Sequence, residues 1–274
     1  MMRSPKKPSR KQNPAPKKHA LKIERKAPDA PKKKKDSDGL TRLNKYIANS
    51  GVCSRREADV LIKTGVVSIN GVPVTEMGAK VKPGDVVKCD GHTIKPDKSQ
   101  YVLLNKPKNF SATLDDPLNR RSVAQLIKGA CKEAIMPIGK MDRNTTGLLL
   151  FSNDGDLIKK LNDPRRGVRT IYHVTTQEKV KSSHLQEMLQ GIEMEGYFTR
   201  ANAVEYIGNG EDPTQIGIEV KSGKIKVIKA LFEHFGYHIT RMDRVVFAHL
   251  TKKDLPRGRF RHLTQEEVNY LKMI

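Results

Sequence analysis

The sequence predicts an α+β protein: a small N-terminal domain of paired helices and a hairpin, then a larger domain on a mixed sheet with flanking helices. Three observations carry that prediction. Strand-period and helix-period segments follow one another irregularly rather than alternating one for one, which argues against a doubly wound parallel sheet. Neither GxGxxG nor GxxxxGK[ST] occurs, so no phosphate-cradling loop of a nucleotide-cofactor fold is indicated. At opposite ends of the chain, Ser54-Arg55-Arg56-Glu57 and Thr264-Gln265-Glu266-Glu267 carry the capping spacing that opens a helix.

Composition narrows the function classes. The 274 residues hold 52 Lys and Arg against 30 Asp and Glu, a formal net charge of +22. Such an excess favours a polyanionic partner, nucleic acid before an anionic membrane surface. No apolar run approaches the ~20 residues of a spanning helix, and the basic N-terminus lacks the apolar stretch of a secretory signal. Cys53, Cys89 and Cys131 are scattered and form no CxxC pair, so neither a zinc site nor a disulfide framework is indicated. Together these set an expectation of the reducing cytoplasm. His234 and His238 are four apart without an acidic residue at HExxH spacing, and Asn153-Asp154-Gly155-Asp156 lacks the rest of a calcium loop. No metal is expected.

Residues 1–39 read as a disordered basic tail. They hold 14 Lys and Arg against 4 acidic residues, and Leu21 and Ile23 are almost their only large aliphatic side chains. Such a segment cannot offset the entropy of ordering. It is either an RNA-contacting arm or a solvated extension.

Residues 40–98 read as the small domain. Leu43, Ile47 and Val52 mark one amphipathic helix and its exit. A second helix opens at the Ser54 capping box, carries Ala58, Leu61 and Ile62 on one face, and stops at Gly65. Val66 to Ile69 is a strand, and Asn70-Gly71 is a type I′ hairpin signal with Val72-Pro73-Val74 returning. Arg42, Lys45, Arg55, Arg56 and Lys63 give the helix pair a basic outward face, suited to RNA phosphates or simply to solvent.

Residues 99–274 read as the larger domain. Tyr101 to Asn105 is a strand ended by Lys106-Pro107, Val123 to Ile127 a short helix, and Asp156 to Leu161 a helix packed by Leu157, Ile158 and Leu161. Ile171 to Val174 alternates as a strand, Ser183 to Leu189 is a long helix, and Ile216, Ile218 and Val220 alternate as another strand. From Ile225 to Phe232 the apolar spacing suits a helix, Arg241 to Phe247 a strand, and Thr264 onward the last helix.

The chemistry is expected in Gly139 to Gly155. Asp142 and a polar turn precede the apolar run Leu148-Leu149-Leu150-Phe151, so its carboxylate sits on a rigid element beside the core. Two readings stay open on the residues alone: a catalytic nucleophile, or a carboxylate that caps its own turn.

Two resemblances bear on that choice. Arg42-Leu43-Asn44-Lys45-Tyr46-Ile47-Ala48, Gly51 to Ala58 and Ile69-Asn70-Gly71 resemble the small RNA-binding domain named after ribosomal protein S-four. Gly139-Lys140-Met141-Asp142-Arg143-Asn144-Thr145-Thr146-Gly147-Leu148-Leu149-Leu150 resembles the signature of the RsuA/RluB/RluE/RluF family of pseudouridine synthases. Asn105-Lys106-Pro107, Asn153-Asp154-Gly155, Phe232 to Tyr237, Arg244 and the segment from Leu255-Pro256 to Leu263-Thr264 are also similar to that family.

The resemblance implies a mixed, mainly antiparallel catalytic sheet and an isomerase that turns uridine into pseudouridine in ribosomal RNA without a cofactor. It implies that Asp142 attacks the target nucleotide at C1′ or C6 after the base is extruded. Tyr172 corresponds to the family's active-site tyrosine, packed on the uracil and able to assist proton removal from C5. Where the family has a basic residue two positions earlier, this chain has Thr170, with Arg169 adjacent. The family's arginine-rich segment reads Gly223-Lys224-Ile225-Lys226-Val227-Ile228-Lys229-Ala230 here, which makes Lys229, or else Lys226, the partner of Asp142. Lys106 and Arg143 are expected RNA contacts. The Asn-Thr-Thr-Gly form of the signature resembles the RluB-like branch and implies large-subunit RNA, alone or in pre-ribosomal particles. A monomer with no membrane partner is expected. A non-catalytic ribosome-assembly factor on the same scaffold is the competing reading.

Overall fold

Local chemistry sets the first elements as expected. The computed structural model describes residues 39–114, 121–194, 196–221 and 225–274. Residues 1–38 of the tail, together with Gly223 and Lys224 of the lysine-rich segment, therefore lie outside the described residues. β1 (Thr41–Arg42) leads into α1 (Leu43–Ala48), and α2 (Arg55–Lys63) opens at Ser54, whose side chain accepts from the Glu57 amide while Glu57 reaches back. β2 (Val67–Ile69) and β3 (Val72–Pro73) form the hairpin, with Asn70 at φ 52° and Gly71 at φ 83°, the left-handed pair a type I′ turn needs. β4 (Lys80–Val81) pairs β1, and β5 (Val87–Cys89) and β6 (His92–Ile94) complete a sheet of order β3-β2-β5-β6. Leu43, Ile47, Ala58, Ile62, Val67 and Val87 form a core of their own under the helix pair.

The larger sheet begins with β7 (Tyr101–Lys106), β8 (Met136–Ile138), β9 (Thr146–Ser152) and, after α3 (Gly155–Asn162), β10 (Thr170–Thr176). α4 (Ser182–Gln190) and the ribbon β11 (Ile192–Met194) with β12 (Tyr197–Thr199) follow. β13 (Ala203–Tyr206), β14 (Gln215–Val220), α5 (Ile225–His234), β15 (Ile239–Phe247), β16 (Leu250–Thr251), β17 (Phe260–His262) and α6 (Gln265–Met273) complete the chain. The sheet order is β13-β14-β10-β15-β9-β7-β17, with β16 on β15 and β8 on β9. Every pairing is antiparallel except β9 with β15, so the expected mixed, mainly antiparallel α+β architecture is found. That parallel contact is short, matching Thr146 with Asp243 and Gly147 with Arg244. The predicted helix at Val123 is a single 3-10 turn, Val123–Gln125, capped by Ser122, too short to propagate as an α-helix.

Burial explains why the middle of the sheet is rigid. Leu103, Leu148 and Leu150 pack on one face with Leu157, Leu161, Val268 and Leu271 of α3 and α6. Val102, Leu104, Leu149 and Phe151 pack on the other. The Leu-Leu-Leu-Phe run is thus covered on both sides, each side chain contributing about 1.5–3 kcal/mol of burial. A separate core joins β10, β14 and β15 to Leu185, Met188, Ile228, Leu231 and Phe232 of α4 and α5. The two halves of the sheet meet at β9 and β15.

Candidate active site

The loop that carries Asp142 runs between β8 and β9 and is held from beneath. The Lys106 side chain is fully buried, and its ammonium donates to the carbonyls of Thr145 (2.7 Å), Arg143 (3.1 Å), Asp142 (3.2 Å) and Pro107 (3.3 Å). The Thr145 amide donates to the Asp142 carbonyl at 3.2 Å and closes the turn. Asn109 and Arg143 then exchange two bonds, the Asn109 amide to Arg143 O and Arg143 Nε to Asn109 O. Burial lowers the Lys106 pKa to about 8; Asp142 acts against that shift, and Arg244 and Arg257 add to it. Lys106 is therefore no surface RNA contact. Its position after a strand suggested exposure, but four converging carbonyls draw it inside.

The Asp142 carboxylate is half exposed, and Lys229 Nζ meets its Oδ2 at 2.5 Å. Helical spacing puts Lys229 there. Ile225, Ile228, Leu231 and Phe232 of α5 are buried, which leaves Lys226 and Lys229 on the open side. Of the two candidate partners, Lys229 makes the ion pair, while Lys226 lines the cleft beside it. A lysine gives one point of charge where an arginine would give a two-toothed fork.

Asp142 opens onto a cleft of about 1030 Å³. Its wall includes Lys140, Arg143, Leu161, Asn162, Pro164, Val168, Lys221, Ile225, Arg244 and Phe247. Arg244 is only 1% exposed. Its guanidinium lies 4.5 Å over the Phe247 ring, and its Nε donates to Leu148 O at 2.6 Å. Tyr172 lies opposite Arg244 in the β10–β15 pairing, at a register shift, and is fully buried in the core with Met141, Ile225 and Ile228. Among the described residues, Tyr172 Oη and Arg244 Nη2 are the buried side-chain polar atoms without a hydrogen-bond partner. Such atoms are rare in folded proteins and call for a reason.

A second set of contacts fixes β15 against β9. Gly147 has φ +101°, and a Cβ there would sit 2.3 Å from the Arg244 carbonyl oxygen and 2.7 Å from Asp243 Oδ1. Only glycine allows that approach. Asp243 accepts from Thr146 Oγ1 (2.8 Å), from both Arg257 Nη atoms (2.9 and 3.2 Å) and from Lys252. Burial alone would raise the Asp243 pKa, but hydrogen bonds from Arg257, Lys252 and Thr146 outweigh it and hold it at about 2. Arg257 also bonds Asn105 Oδ1, and Asn105 Nδ2 bonds Leu255 O. Asn105-Lys106, Thr145-Thr146-Gly147 and Leu255 to Arg257 are therefore one support beneath Asp142.

The other expected site residues divide. Arg42, Arg55, Arg56, Lys63 and Arg143 are exposed. Lys45 is half-buried and paired with Asp156 of α3 at 2.7 Å, and Arg55 Nη2 lies 3.2 Å from the Cβ position of Gly155. These two cations face the start of α3. Thr170 is buried and bonds Val168 O, while Arg169 pairs with Glu219 at 2.8 Å. Arg244, Asp243 and Arg257 escaped the candidate site residues. A signal for Arg244 existed: it shares strand parity with buried Met242, and a charge on an inward face is seldom idle. Among the described residues, no cluster of His, Cys, Asp and Glu could hold a metal ion.

Comparison with known proteins gives the family and the fold. The family described as RNA pseudouridylate synthase matches residues 100–234, and the S4 domain matches residues 41–87. The chain is 33% identical over 234 residues to the Dual-specificity RNA pseudouridine synthase RluF of Escherichia coli (strain K12), covering 84% of this chain and 78% of that one. It is 31% identical over 237 residues to the Ribosomal large subunit pseudouridine synthase B of Bacillus subtilis (strain 168), covering 86% and 97%. A solved structure titled as a pseudouridylate synthase superposes with a TM-score of 0.60 at 24% identity, covering 84% of this chain and 99% of that one, a likeness of fold.

Proposed function

The chain belongs to the RNA pseudouridine synthases, in the branch of RsuA, RluB and RluF, and is an isomerase; from that premise we propose that it modifies a uridine of ribosomal RNA, in the large subunit, with Asp142 as nucleophile. The observation that carries the reading is the meeting of Asp142 and Lys229 at 2.5 Å, at the mouth of a cleft over the junction of the two half-sheets.

The steps follow from what the side chains offer. The uridine leaves its stack, at a cost of a few kcal/mol. Phosphate contacts from Arg42, Arg56, Lys63, Arg143 and Lys226 offset that cost. The Asp142 carboxylate, with Lys229 as counter-charge, adds to C1′ of the ribose or C6 of the base. The C1′–N1 bond breaks, the uracil turns, C5 bonds to C1′, and the bond from Asp142 to C1′ or C6 breaks to return the free carboxylate. A proton leaves C5 and N1 takes one up, so atoms balance and nothing departs. Arg244 Nη2 and Tyr172 Oη, both unpartnered, are the polar groups we assign to the turning base and to the proton at C5. Lys229 holds Asp142 at one point only, so its geometry depends on the backbone support from Lys106.

Large-subunit RNA is supported by the Asn144-Thr145-Thr146-Gly147 form of the signature and by the large-subunit relative. The test is to map pseudouridines across ribosomal RNA from a deletion strain, then complement with wild type and with Asp142→Asn. One site lost on deletion and restored by wild type alone supports the reading. Equal restoration by Asp142→Asn overturns the nucleophile, and a lost site in small-subunit RNA overturns the substrate.

A further inference from the structure

We infer that Asn153, Gly155 and Asp156 form a joint that fixes the small domain on the catalytic domain, and that this joint is a specificity determinant: it sets the distance from RNA held by the small domain to Asp142. The inference rests on the reading above. It gives a use to the run Asn153-Asp154-Gly155-Asp156, which lies outside the cleft lining.

The run follows β9 directly, and each residue has its own contact. Asn153 grips the chain between the domains. The Gln100 amide donates to its Oδ1 at 2.7 Å, and its Nδ2 donates to the Lys98 carbonyl at 2.9 Å. The same connector is pinned from the small domain, where the Asp97 amide donates to Asn49 O at the end of α1 at 2.8 Å. Asp154 caps α3 through the amides of Asp156 and Leu157 and accepts from Tyr101 Oη of β7. Gly155 leaves room for Arg55, whose Nη2 lies 3.2 Å from the Cβ position there. Asp156 takes Lys45, whose Nζ lies 2.7 Å from both carboxylate oxygens. Two cations brought to the first turn of a helix meet the positive end of its dipole. Asp156 offsets that, so the docking of Lys45 and Arg55 depends on it.

The frame behind the joint turns it into a gauge. β9 is covered on both faces, and Leu157 and Leu161 fix α3 to one of them. The turn of Asp142 precedes the start of β9 and Asn153 follows its end, a span of seven strand residues or about 23 Å. The nucleophile and the anchor of the small domain are thus at opposite ends of one buried strand. Arg42, Arg56 and Lys63 are exposed on the small domain for RNA phosphates, whereas Lys45 is committed to Asp156. The Asp156 side chain is 76% exposed, and an exposed ion pair holds little alone. Adjoining domains move by default unless something restrains them, and here the grip of Asn153 on the connector shares that task with the ion pair.

The test compares wild type, Lys45→Asp, Asp156→Lys and the double variant on the full-length transcript in which the modified uridine is mapped. Single-turnover kcat/KM at that uridine is measured, together with the share of pseudouridine formed at other uridines. The two exchanges move the net charge in opposite directions. A direct RNA contact by Lys45 therefore predicts opposite effects, slower for Lys45→Asp and faster for Asp156→Lys. A joint is broken by either, because each leaves like charges facing. Both single variants are expected to lower kcat/KM by about 10-fold and to raise the share at other uridines, and the double variant to return both to within about twofold. Asn153→Ala, which leaves every charge in place, is expected to raise that share as well. Effects of opposite sign, an unchanged rate in either single variant, no recovery in the double variant, or wild-type selectivity in Asn153→Ala overturns the joint while the activity of wild type stands. No pseudouridine from wild type overturns the parent reading itself.

Discussion

Replacing Lys106 by methionine separates support of the Asp142 loop from contact with RNA. Methionine keeps the length and most of the volume and deletes the ammonium. Two effects on stability oppose each other. Burial has moved the lysine pKa from 10.5 to about 8, so keeping the charge inside costs about 3 kcal/mol near neutral pH, a cost the variant does not carry. Against that, Thr145 is buried, and its carbonyl loses a bond of 2.7 Å, at about 1–3 kcal/mol. The carbonyls of Asp142 and Arg143 belong to exposed residues and can turn to water. The net change is within about 2 kcal/mol, or a Tm shift of under about 8 °C. Activity has no such compensation. A nucleophile displaced by ~1 Å loses about 100-fold in rate. The expected result is kcat down by about that factor, KM for RNA within about twofold and an unchanged salt dependence of binding. A kcat near wild type, or a salt slope reduced by about one, refutes the reasoning and returns Lys106 to the RNA surface. The sign of the pH effect on stability is also fixed. The folded pKa is depressed below the unfolded 10.5, so the penalty is full below pH 8 and is relieved as pH rises from about 8 to 10.5; the Lys106→Met variant lacks that rise.

Further predictions follow from the β9–β15 junction and its surroundings. Gly147→Ala places a Cβ 2.3 Å from a backbone oxygen at a positive φ, and should cost at least about 4 kcal/mol, read as a Tm lowered by about 8 °C or more; a Tm within 2 °C contradicts the close approach. Tyr172→Phe removes a buried hydroxyl without a partner, so it should stabilise by about 1 kcal/mol in denaturant unfolding while lowering kcat; gain or loss in both together counts against the hydroxyl acting on substrate. Asp243 contributes stability that is full above its unfolded pKa of ~3.9 and is lost as pH falls toward about 2, up to ~2 kcal/mol. Acid titration of Asp243→Asn should lack that loss, and an identical acid profile would show that the Arg257 and Lys252 contacts do not persist in solution.

Much of the frame was legible because local chemistry decides it. Both capping boxes, the Asn70-Gly71 hairpin and the apolar run of β9 are fixed by neighbours in sequence, and the structure has them. Lys229 came from position within a motif, and helix periodicity alone leaves it on the open side of α5. What escaped depended on contacts distant in sequence. Lys106 reads as a surface lysine until the carbonyls of the Asp142 turn arrive from across the sheet. Lys45 reads as an RNA contact until Asp156 is placed opposite it. The weight of Asp243 became visible only when parallel pairing set it against Thr146. Tyr172 is an intermediate case. Its alternation with Val174 already turned it inward, toward the core in which both are buried.

The central claim is that the Asp142 carboxylate forms the bond that starts the isomerisation. Single-turnover pseudouridine formation by purified Asp142→Asn, with RNA binding measured on the same preparation, tests it most directly. The account predicts a rate at least about 10⁴-fold below wild type with RNA affinity within about threefold. A rate within tenfold of wild type at unchanged affinity would contradict it.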